Sequence, residues 1–162
     1  KWWAGTRVSS LCYRVWLAGY RVVFVPKAIV WHAFNTPLKE TKQFYSFYAV
    51  RFYGCRNYIM TLLKNLSLGS LLGILPFHIL GWLILAIAFL FKGKFKDSFW
   101  IIKAIFWNIF NLPEIMKKRS IVQKEIRKIT DRQFLEKIMT KRPVSFYLRK
   151  ARCYILGIPF QE

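Results

Sequence analysis

Side chains able to do acid–base or metal chemistry are sparse in this sequence, which holds seven carboxylates, two histidines and three cysteines. No two carboxylates form a DxD pair of the kind that holds a divalent metal against a diphosphate, and no GxSxG, Walker A or GxGxxG pattern occurs. Cys12, Cys55 and Cys153 are widely spaced, with neither a CxxC pair nor a zinc-type Cys/His cluster, and read as reduced thiols. His78 stands alone in an apolar run, where proton or ion handling competes with the simpler role of a bonded structural histidine. His32 closes a β-branched run. The residues by themselves name no reaction.

Positive charge and apolar surface are abundant instead. Twenty-seven Lys and Arg give a formal charge of +20, combined with 55% hydrophobic and 19% aromatic residues. Basic soluble domains usually meet nucleic acid, but an RNA-binding reading needs a recognisable fold or aromatic platform, and none is present. Anionic headgroups attract juxtamembrane Lys and Arg at roughly 1 kcal/mol each, so membrane lipids are the expected partner and nucleic acid is not. Lys1-Trp2-Trp3 is neither an initiator methionine nor the start of a signal peptide, and the sequence reads as a piece of a longer one.

The elements that must carry these residues follow from periodicity. Leu11, Val15 and Ala18 lie on one helical face, and Gly19 supplies a stop. Arg21–Val25 and Ala28–Trp31 read as two short strands, the first closed by Pro26 and the second by His32. Thr36-Pro37 opens a helix rich in Phe and Tyr, with Arg51, Arg56 and Lys64 among them. Such a helix suits the headgroup level of a bilayer, although an aromatic core helix has the same composition.

Leu66 to Phe91 has no charged residue in 26 positions, more than the roughly 20 that cross a hydrocarbon core of about 30 Å. It is predicted to be a transmembrane helix, with Pro76 kinking it or marking its start. After the basic turn Lys92–Lys96, a shorter apolar stretch runs from Ser98 to Leu112, interrupted by Lys103 and stopped by Pro113. It either completes a hairpin or lies in the interface with Lys103 snorkelling. The tail from Lys117 to Arg152 carries 13 basic against 3 acidic residues, which places both basic ends on the cytoplasmic side of the cell membrane. Within it, Ser120–Gln123 and Thr130–Gln133 both match the capping-box pattern.

Leu11 through His32 resembles the end of the catalytic domain in family 2 glycosyltransferases of the GT-A fold: a helix with Leu-Cys-(aromatic)-Arg, an Ala-Gly-Tyr turn, a strand into Val-Pro and a strand ending in His. Tyr48-Ala49-Val50-Arg51, Arg56-Asn57 and Thr61–Asn65 resemble the helix that follows in membrane-associated members. The resemblance implies an α/β remnant over 1–35, a juxtamembrane amphipathic helix over 36–65, a transmembrane or re-entrant region over 66–112 and a basic cytoplasmic, helical tail over 113–162. In intact members it implies a nucleotide-sugar donor, a glycan or lipid-linked acceptor, and Mg or Mn. His32 is the one position it assigns to the metal site. Arg7, Val8 and Ser10 stand where the family has acidic residues, including the general base, and the nucleotide-binding half has no counterpart. The implied chain is therefore a glycosyltransferase fragment, inactive and metal-free alone, as a truncated or frame-shifted gene would give. A small basic membrane-binding or scaffold protein is the alternative.

Overall fold

A computed structural model describes residues 5–23, 25, 27, 29, 47–138 and 143–156. Its elements are helices α1 (Gly5–Leu17), α2 (Phe47–Asn65), α3 (Leu68–Phe91), α4 (Phe95–Phe110), α5 (Leu112–Ile121), α6 (Asp131–Ile138) and α7 (Val144–Leu156), with a π-helical turn over Val122–Ile126 continuing α5.

The expected α/β remnant is not found. Arg21, Val22, Val23 and Val25 are irregular, Val23 and Ile29 are about three-quarters exposed, and no strand occurs among the described residues. The physical reason is pairing: a β-branched run becomes a strand only when a neighbouring strand takes its backbone groups, and the described chain offers none. Phe24, Pro26, Ala28 and Val30 to His32 lie outside the described residues, as does the Thr36-Pro37 helix start.

The helix before that run does form and stops at the expected glycine. Gly19 has φ +84°, its N–H donates to Trp16 O at 2.9 Å, and the Tyr20 N–H donates to Val15 O at 3.1 Å. That pair of bonds is a Schellman stop, which requires a left-handed residue that glycine adopts without strain. The same device ends α3, where Gly93 (φ +68°) donates to Leu90 O and Lys94 to Phe89 O, each at 2.9 Å.

Helix α2 is the axis of the fold. Cys55, Ile59, Leu62, Leu63 and Leu66 are buried against Leu17 of α1, Leu71 and Phe89 of α3, Ile101 of α4 and Ile115 of α5. Contacts advance together along α2 and α4, from Arg51–Asp97 through Cys55–Ile101 to Arg56–Asn108, so these two helices run parallel. The tight turn at Gly93 then makes α3 antiparallel to both. The face of α2 that carries Arg51, Cys55, Ile59 and Leu62 is thus packed into the core, while Tyr53 stays exposed.

Helix α3 is unbroken from Leu68 to Phe91, so Pro76 neither starts nor ends it. Only 11% of its most apolar stretch is buried inside the protein, unlike the central helix of a soluble domain. It is long and apolar enough to cross a membrane.

Candidate membrane interface

Two surfaces of opposite character meet along α2. The first is a polar seam inside the protein. At the start of α2, Arg51 Nε donates to Asp97 Oδ1 at 3.0 Å, with both side chains under 10% exposed, and the guanidinium also lies 4.8 Å from the centre of the Phe89 ring. This pair ties α2, α3 and α4 together at one end. A buried pair of this kind gains little net stability over apolar packing, but removing either partner strands a charge. Half-way along, Arg56 donates to Asn57 Oδ1 through Nε and Nη2, at 3.0 and 2.8 Å, and stacks over Tyr53 and Trp107.

The C-terminal end of α2 needs partners for its last carbonyls, which have no acceptor role left within the helix. The tail supplies them. Arg119 Nη1 donates to Leu66 O at 2.7 Å and also to Leu63 O, Gln123 Nε2 donates to Lys64 O at 3.0 Å, and Arg127 Nη2 donates to Asn65 O. Arg127 Nη1 also pairs with Asp131 Oδ1 at 2.6 Å, and Asp131 Oδ2 accepts the Ser67 N–H at 2.7 Å. Burial pushes the Asp131 carboxyl up, but hydrogen bonds from Ser67, Ser70 and Arg127 outweigh it and hold the group below the usual carboxylate range. Desolvation, with the neighbouring charges of Arg14 and Lys118, lowers Lys64; desolvation, then Arg127, lowers Arg119.

This seam was not visible in the sequence. By sequence, Arg119 and Arg127 are expected to belong to a solvated or lipid-facing basic surface, and Ser120–Gln123 to be a helix-starting box. Instead Ser120 lies within α5 and the Gln123 amide caps α2. The second box does form: the Thr130 N–H donates to Gln133 Oε1 at 3.0 Å and the Gln133 N–H to Thr130 Oγ1 at 3.3 Å, opening α6.

The second surface is the outer side of α3 and α4. Along α3, Leu72, Phe77 and Ile84 are exposed; along α4, Phe99, Phe106 and Phe110 share one face at helical spacing. Lys103 lies in that face with its ammonium 4.7 Å from the Trp100 ring centre, a placement consistent with snorkelling. Together these side chains form an apolar surface of the kind that marks a membrane or protein interface. Beside it, a groove of about 400 Å³ lies between α2, α3 and α7, bordered by Tyr58, His78, Gly81, Trp82 and Lys150.

The remaining candidates fall away from this surface or beneath it. His78 Nδ1 lies 2.9 Å from Ile74 O one turn earlier and its ring packs on Tyr58 at 5.1 Å, so it is a bonded structural histidine. Burial pushes the Cys55 thiol up to about 12, which makes it unreactive, and Cys12 and Cys153 are half-buried and unpaired with each other. His32 lies outside the described residues. Among the described residues no three of His, Cys, Asp and Glu come together.

Comparison of the chain with protein-family models, with curated proteins and with solved structures finds no match.

Proposed function

We propose that the chain is the membrane-docking part of a membrane-associated glycosyltransferase of family 2, which moves a sugar from a nucleotide-sugar to a glycan or lipid-linked acceptor. One observation carries this reading. The residues that resemble the helix of membrane-associated members, Arg51, Asn57 and Thr61 to Asn65, include the polar positions that α2 buries while α1, α3, α4 and α5 pack around it. Buried polar side chains of these types hold one helix in register against its neighbours, which is the role that a shared docking helix would need. The donor site, the metal and the general base then belong to residues outside this helical unit. In this reading the unit keeps both basic ends on the cytoplasmic side and holds the enzyme at the surface where a lipid-linked acceptor resides.

The exposed apolar face and the charge of +20 equally support the second reading, a small basic membrane-binding or scaffold protein that needs no enzyme. The two separate on one experiment. The chain is co-expressed with a separately encoded GT-A catalytic domain from a membrane-associated member, and sugar transfer to a lipid-linked acceptor is measured in the membrane fraction. Co-purification and transfer above the level of either chain alone supports the glycosyltransferase reading. Firm membrane attachment without association or transfer supports the scaffold reading.

A further inference from the structure

We infer that the protein lies in one leaflet of an anionic bilayer, with α3 and α4 parallel to the membrane plane, and that α3 does not thread across. This rests on the membrane-docking reading and adds its geometry. Length permits α3 to cross; its neighbours decide against it.

Helices α2 and α4 run beside α3, and α7 borders the groove along its second half. Two of these neighbours carry cations level with the middle of α3. Lys103 is exposed at the centre of α4, and Lys150 shares the groove with Gly81 and Trp82 at the centre of α3. Arg149 and Arg152, on either side of Lys150, are exposed. With α3 along the bilayer normal, this group would sit near the midplane, where Lys and Arg are among the costliest residues. Laid in the plane, the same side chains reach the headgroups of one leaflet while the apolar faces of α3 and α4 enter the acyl region.

Charge at the two ends of α3 points the same way. Lys92, Lys94 and Lys96 follow its C-terminus, while exposed Lys118, near Lys64, and exposed Lys124, next to the Gln123 that caps α2, lie where α2 hands over to its N-terminus. A span would separate these clusters across the bilayer against the preference of basic flanks for one side. The in-plane arrangement sets both on one anionic surface.

The test uses the full chain with Cys12 and Cys153 replaced by serine, buried Cys55 left in place, and single cysteines introduced as Lys92→Cys or Ser120→Cys. In sealed membrane vesicles, an impermeant maleimide is expected to label both sites from the same side. Probes at positions 72, 83 and 90, read by lipids brominated at shallow and deep carbons, are expected to report one shallow depth. Lys103→Gln is expected to weaken binding to phosphatidylglycerol-containing vesicles about fivefold, the effect of one surface cation, with little change on pure phosphatidylcholine. Labelling from opposite sides, or position 83 lying deeper than 72 and 90, would overturn the in-plane geometry and establish a span. Failure of the unsubstituted chain to float with vesicles of either composition would instead overturn the docking reading on which it rests.

Discussion

The polar seam inside the bundle and the outer face of α3 and α4 are built from the same few residue types, yet they work oppositely. In the seam, Arg51, Arg119 and Arg127 are fixed by carboxylates and backbone carbonyls, and each has a defined geometry. On the outer face, Lys103 touches only aromatic rings in the contacts described for it, and the Phe side chains around it are exposed. A basic residue is structural where it meets an orphan carbonyl or a buried carboxylate, and interfacial where it borders exposed apolar surface. Counting charges along the chain cannot separate the two groups, whose responses to substitution are expected to differ.

The sharpest way to break the contrast is Arg51→Ala. It leaves the Asp97 carboxylate buried without this partner, which typically costs about 3–5 kcal/mol. Thermal unfolding followed by circular dichroism in a mild detergent is expected to show that loss; a change under about 1 kcal/mol would mean that Asp97 is solvated and the seam open.

Arg127→Ala should follow at about 2–3 kcal/mol, because it strips Asp131 of its ion pair and the end of α2 of one carbonyl partner. Arg127→Lys recovers charge but not the forked geometry, so partial rescue in the same measurement is expected.

Acid titration probes the same seam without substitution. The Asp131 carboxyl is held below its ordinary value, so the folded protein binds fewer protons than the unfolded chain as pH falls through the usual carboxylate range of about 4. Its contribution is therefore fully present above that range and declines as pH drops through it toward the lower folded value. Asp131→Asn should lower stability at neutral pH and flatten this part of the pH profile; an unchanged slope would remove Asp131 from the seam.

A smaller effect is expected at the helix start beyond it. Thr130→Ala removes the hydroxyl half of the capping box and should cost about 1 kcal/mol. Smallest of all on folding is Phe106→Ser on the outer face, with a change within about 0.5 kcal/mol in detergent. Its effect belongs to docking, and weaker flotation with lipid vesicles is the outcome that sharpens the contrast. Strong destabilisation in detergent would show that the outer face is core.

Local signals in the sequence were sufficient wherever the physics is local. The stop at Gly19, the box at Thr130 and Gln133, and the uncharged helix over 68–91 each depend on a few neighbouring residues or on composition alone. Long-range partners decided the rest. Arg21 to Val25 has strand-forming residues but no strand beside it among the described residues, so its propensity goes unused. The aromatic helix fits a headgroup surface or a core equally well until α1, α3, α4 and α5 pack against it. Gln123 could open a helix or close one, and the unpaired carbonyls at the end of α2, some 60 residues earlier in the chain, settled which. Composition determined that one helix offers a long apolar surface, enough to cross a membrane, because 26 successive positions carry no charge. Which cations face that surface was left to tertiary structure, since a charge is spent on whichever partner the fold brings within a hydrogen bond's reach.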